Sequence, residues 1–207
     1  MKKLIVIGLA LLIIACGGQT NGNRAGSGGP SSTTDVASGT GIEIKLNNKE
    51  FRIEQRSAYI FSDDWTINMP DGKSVPTSNR TIVIANYDLD VGNGLSSTMK
   101  KMAGPDQSRI VIALQEKADV KKDMPLTLGE YVGKIGEFSK ILNLFIFSYS
   151  DGTDTKKLIS GSNSDNKGSV KITAVNGDTV TGEIDLSNTD STIKGTFTAK
   201  IWKSTQK

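Results

Sequence analysis

The chain has no histidine. That absence excludes Ser-His-Asp and Cys-His nucleophilic catalysis, histidine-ligated zinc and imidazole acid–base work. Cysteine occurs once, at Cys16, so no disulfide can form within the chain. An excess of either charge is lacking as well, with 25 Lys+Arg against 22 Asp+Glu. The lysine doublets at 100–101, 121–122 and 156–157 have aspartates near them and do not gather into a basic stripe. No nucleic-acid partner is expected of such a surface. Long hydrophobic runs are missing too. The apolar stretch Leu4 to Ala15 is twelve residues, short of the about 20 that a membrane-spanning helix needs.

That short stretch carries the strongest signal in the chain. Met1-Lys2-Lys3 supplies a positive start, the apolar run follows, and Ile13-Ile14-Ala15-Cys16 closes it with a small residue before the cysteine. The tetrapeptide resembles the lipobox of bacterial lipoproteins. The resemblance implies a signal peptide over 1–15, cleavage before Cys16, fatty-acyl chains such as palmitate on its sulfur, and acylation of the new amino group. Several acyl chains anchor a protein stably where one does not, at about 0.8 kcal/mol per buried methylene. Loss of Lys2 and Lys3 leaves 23 basic against 22 acidic residues. The expected location is the cell envelope, lipid-anchored. In a two-membrane cell the outer membrane is favoured over the inner, because Gly17 is not the aspartate of an inner-membrane retention signal.

Residues 17–40 hold seven glycines, four serines and four threonines with one apolar β-former, Val36. Such a segment cannot bury enough surface to offset its ordering entropy. With Cys16 it reads as a lipidated residue plus a disordered linker over 16–40, of root-mean-square reach about 27 Å.

The remainder, 41–207, is long enough for one domain with its own core, and its pattern is β nearly throughout. Ile42, Ile44 and Leu46 alternate with polar residues. A turn at Asn47-Asn48 places Ile44 opposite Phe51 and Ile42 opposite Ile53. Further strands are expected over 57–69, 81–86, 109–115 and 143–150, the last apolar on both faces and therefore central. A three-strand meander is expected over 168–175, 179–186 and 192–202. There Leu186 faces Ile193, Phe197 covers Gly182, and a three-residue loop at 176–178 pairs Val170 with Ile184 and Ala174 with Val180. Helix is limited to two turns over Leu95–Met102 and a partly helical pattern over Leu128–Leu142. The fold class expected is all-β, an antiparallel β-sandwich or small β-barrel. The meander text GSVKITAVNGDTVTGEIDL and IKGTFTAKIW resembles the end of many uncharacterised bacterial cell-envelope lipoproteins, which implies the same fold and location and carries no functional residues.

Four constellations invite chemistry. Ser97-Thr98-Met99-Lys100 and Ser164-Asp165-Asn166 resemble two signatures of penicillin-recognising serine enzymes, where the lysine helps deprotonate the serine. The third element, Lys-Thr-Gly, is absent in that order: Lys194-Gly195-Thr196 stands instead. A serine-capped helix end and a polar loop explain the same residues. Asp88-Leu89-Asp90-Val91-Gly92-Asn93-Gly94 begins like a calcium loop, but Asn93 and Met99 stand where an EF-hand needs glycine and glutamate. It reads as turn chemistry, as does Asp151-Gly152-Thr153-Asp154. Asp63 and Trp65 share a strand face and suggest a sugar platform, against the expectation that Trp65 is buried. Trp202 is expected either exposed or sealing the domain's end. Asp178-Thr179 and Asp190-Ser191 resemble the O-glycosylation motif of some Bacteroidetes, at hairpin ends expected to be accessible. No catalytic, metal or cofactor residue is assigned; the one site residue is Cys16, for lipidation. The expectation is a non-enzymatic lipoprotein whose β domain binds an envelope protein or glycan, or serves envelope structure. The alternatives are a carrier of an apolar ligand in a β-barrel and, more remotely, the penicillin-recognising enzyme.

Overall fold

A computed structural model describes residues 41–47, 49–68, 71–100, 102, 104–132, 141–152, 155–162 and 167–203. Cys16, the apolar leader and the linker lie outside them, as does Ser164-Asp165-Asn166. The described residues form β1 (Gly41–Leu46), β2 (Lys49–Glu54), β3 (Ser57–Asn68), β4 (Ser74–Ala85), α1 (Leu95–Thr98), β5 (Pro105–Gln115) and β6 (Gly129–Val132). The chain continues through β7 (Ile141–Asp151), β8 (Thr155–Ser162), β9 (Lys167–Asn176), β10 (Thr179–Ser187) and β11 (Ser191–Ile201). The all-β class holds.

The strands form one sheet in the order β10-β9-β6-β7-β5-β4-β3-β11-β1-β2, with β8 beside β7. β10 also pairs with β11 over nine residue pairs, from Thr179↔Lys200 to Ser187↔Thr192. The hydrogen-bonded path from β11 through β3, β4, β5, β7, β6, β9 and β10 therefore returns to its start. Pairing is not wholly antiparallel: β11–β3 and β6–β7 are parallel. Direction forces the first of these. β1 lies antiparallel to both β11 and β2, so β2 runs along β11, and β3 continues in the same sense.

β1 and β3 share one edge of β11. β1 takes Ser191–Gly195, and β3 takes Lys200 and Ile201. Gln55 bridges the interval between them. Its side-chain amide donates to the Thr198 carbonyl at 2.5 Å, and the Thr198 N–H donates to its Oε1 at 3.1 Å. One side chain thus replaces a residue's worth of strand pairing.

The expected registers are largely present. Ile44 opposes Phe51 and Ile42 opposes Ile53; Leu186 opposes Ile193 and Phe197 opposes Gly182. The β9–β10 hairpin differs from its expected form. Asn176 pairs with Thr179 across a two-residue turn at Gly177-Asp178, so Val180 meets Val175, not Ala174. A bulge between Ala174 and Ile172 then restores Val170↔Ile184. The tight turn and the buried face are both kept, at the expense of one unpaired residue.

Alternation along β3, β4 and β5 sorts two cores. Ile60, Ile82, Ile84, Ile110, Ile112 and Leu114 point inward, where they join Phe147, Ile184 and Phe197 in the main cluster. Phe61, Val83 and Val111 point outward and are covered by Leu89, Val91 and Leu95 from the segment after β4, with Trp202. α1 is a single turn in that covering segment, shorter than the two turns expected over Leu95–Met102. Leu128–Leu142 opens with strand β6, not helix; 133–140 lies outside the described residues. β7 is central, between β5 on one edge and β6 and β8 on the other. Phe147, Ser148 and Ser150 on it are all buried.

Candidate functional site

Two arginines stand in strands where an apolar residue would be expected, and each holds down a crossing segment. Arg80 on β4 is in phase with Ile82 and Ile84, so its guanidinium points into the barrel end and is only 3 % exposed. Nη1 donates to Ser62 Oγ at 2.5 Å and to the Lys122 carbonyl at 2.7 Å. Nη2 donates to the carbonyls of Lys121 at 3.3 Å and Met124 at 2.8 Å. Its Nε lies 3.7 Å from Glu116 Oε1, an ion pair at 3 % and 1 % exposure. The Tyr131 hydroxyl donates to the same Oε1 at 2.7 Å. Burial, and then the Glu116 carboxylate, hold the Tyr131 phenol well above its ordinary pKa.

The chain after β5 is thereby fixed as a lid over the barrel's mouth. Thr77 Oγ1 donates to the carbonyls of Glu116 and Lys117 at 2.9 and 2.7 Å. Asp119 N–H donates to the Pro76 carbonyl, and Leu126 inserts into the main cluster. Arg109 on β5 repeats the device on the outer face. Its Nη1 donates to the carbonyls of Thr98 and Lys100, the latter at 3.2 Å, and to the Tyr87 hydroxyl at 3.3 Å.

Between the lid, β3 and the β9–β10 turn lies a cleft of about 480 Å³, within the range of small-molecule sites. Its walls include Ile60, Leu126, Val175, Ile201, Trp202 and Met124. Ser62 and Arg80 lie at its base, and Lys122, Asp123 and Lys203 at its rim. Trp202 separates the cleft from the outer cluster: its ring packs 5.6 Å from that of Phe61, and its Nε1 donates to the Val91 carbonyl at 3.0 Å. It therefore seals the domain's end. Lys122 Nζ lies 2.9 Å from Asp64 Oδ2. That hydrogen bond lowers the Asp64 pKa and raises that of Lys122.

The constellations singled out from the sequence fare differently. Ser97 is buried, and its Oγ accepts the Asn93 N–H at 3.0 Å. Lys100 Nζ instead pairs with Asp90 at 2.7 Å on the surface, so lysine and serine are engaged with separate partners. Asp88 takes a two-point ion pair with Arg56, at 2.9 and 2.5 Å. Asp90 accepts from Gly92 N–H and Lys100, which lower its pKa, Lys100 foremost. Both carboxylates of the would-be calcium loop thus serve turns and ion pairs. No group of three or more carboxylate, cysteine or histidine side chains suited to a metal occurs among the described residues. Trp65 is 54 % exposed, contrary to its expected burial, because β3 and β4 run on beyond the core as a projecting hairpin with Trp65 opposite Thr77. Ser191 is buried, its hydroxyl held 2.7 Å from Asn188 Oδ1, so of the two glycosylation-like motifs only Thr179 is partly accessible.

Arg80, Glu116 and the cleft were not singled out from the sequence. A signal was present: both charges fall in phase with the apolar alternation of adjacent strands. No family model, no curated protein and no solved structure matches this chain.

Proposed function

We propose that this protein is a lipid-anchored lipoprotein of the bacterial cell envelope, whose β domain acts by binding or as structure and not by catalysis. The observation that carries the reading is the placement of Cys16 directly after Ile13-Ile14-Ala15 at the end of a short apolar run with a basic start. The glycine-, serine- and threonine-rich composition of 17–40 supports a tether between anchor and domain. The non-catalytic half is supported by the absence of histidine and by the engagement of Ser97 and Lys100 with different partners. Cells fed an alkyne-bearing palmitate are expected to label the wild-type chain and to leave Cys16→Ser unlabelled. Equal labelling of both, or of neither, refutes the anchor.

A further inference from the structure

Three features of the cleft under the lid bear on what it holds. First, the described residues behind it, Ile42, Ile84, Ile112, Phe147, Ile184 and Phe197 among them, pack into one buried apolar cluster. The cleft opens at the mouth, where Trp202 forms part of its wall. Second, the lid cannot sink into the space. Arg80 holds one turn of its backbone by the carbonyls of Lys121, Lys122 and Met124, and Leu126 is already anchored in the core. Third, the charges around it are matched. Arg80 answers Glu116, Lys122 answers Asp64, and Lys203 with Asp123 gives the rim one charge of each sign. A ligand bearing a net charge would lose hydration at these apolar walls and meet one rim charge that attracts it beside one that repels it.

We infer that the mouth cleft binds an uncharged, apolar small molecule. The inference rests on the binding half of the function proposed above and is independent of the lipid anchor. It gives the carried apolar ligand considered from the sequence a place at the barrel's mouth.

The chain contains two tryptophans, and the exposed Trp65 can be replaced by phenylalanine to leave Trp202 as the sole reporter. The full chain carrying Trp65→Phe is titrated with decanol, decanoate and decylammonium, and the titration is repeated with Cys16→Ser added. Decanol is expected to shift Trp202 emission to the blue and to saturate, with or without Cys16. Neither ionic homologue should bind more tightly than the alcohol. Val175→Phe fills the cleft from β9, and Met124→Glu places an unmatched charge on the lid. Met124 is 43 % exposed, so Met124→Glu is expected to fold normally. Each should weaken decanol about tenfold or more. A Trp202 signal that never saturates, or an affinity unmoved in Met124→Glu, overturns the site. A preference of tenfold or more for either ion overturns the uncharged class. Loss of palmitate labelling with decanol binding intact would strike the anchor alone.

Discussion

Arg80, Glu116 and Tyr131 carry more of the architecture than their number suggests. A buried ion pair is weak evidence for stability in itself, since desolvating both charges offsets most of their attraction. Here the guanidinium also donates to the carbonyls of Lys121, Lys122 and Met124 and so fastens the lid, a contribution that a methionine could not supply. Arg80→Met is therefore expected to cost about 3–5 kcal/mol, read as a lower denaturation midpoint, because it leaves buried Glu116 without its cation and unfastens the lid. Tyr131→Phe is expected to cost about 1–3 kcal/mol by removing the donor to Glu116. It should also change the pH profile. The folded phenol keeps its proton at pH values where an unfolded tyrosine, of pKa about 10, has lost it. This contribution is complete below about pH 10 and falls away as pH rises further. Stability measured from pH 8 to 11 should decline less steeply in Tyr131→Phe than in wild type. The sequence permitted this reading only in part. Arg80 is in step with Ile82 and Ile84, and Glu116 with Leu114, which marks both as inward-facing. Their meeting depends on β4–β5 register and on β6 arriving from elsewhere, and local pattern contains neither.

Among the elements, the hairpins were the most legible and the irregularities the least. Alternation plus a short turn fixes β1–β2 and β10–β11, since any one-residue slip would turn Ile42, Ile44, Leu186 and Ile193 outward. The same logic placed Phe197 over Gly182. A Cβ built on Gly182 would lie 2.5 Å from the Phe197 ring and 2.6 Å from the Lys171 carbonyl. Gly182→Ala is thus expected to lose about 1–3 kcal/mol through overpacking, measured by urea unfolding. In the β9–β10 hairpin the turn and the buried face make conflicting demands, and the chain meets both with a bulge. Pairwise alternation has no place for such a residue. Gln55 was equally invisible: a glutamine between two strands reads as a linker, yet its amide completes the ladder of β11. Gln55→Ala is expected to cost about 1–3 kcal/mol and to raise amide exchange at Thr198 ahead of its neighbours. Protection at Thr198 unchanged in that variant would show that the bridge is dispensable.

For the molecule as a whole, composition and alternation were enough for an all-β body, while closure of the sheet was not readable. Closure depends on β10–β11, β9–β6 and the parallel contacts β6–β7 and β11–β3, of which β9–β6 and β11–β3 join segments far apart in sequence. The covering segments were unreadable for a related reason: they look like polar loops, and only the arginines beneath show what they are fastened to. The exposed Trp65 follows from hairpin length, since β3 and β4 outrun the core they help to build. Above this scale stands the proposal that the body is moored to lipid through Cys16 and turns its mouth cleft to an uncharged guest. The most direct measurement is the intact mass of the native protein, with sequencing of its first peptide. The account predicts a chain that begins at Cys16 and carries fatty-acyl groups on that residue. A native chain that retains Met1, or one with an unmodified thiol at Cys16, would contradict it.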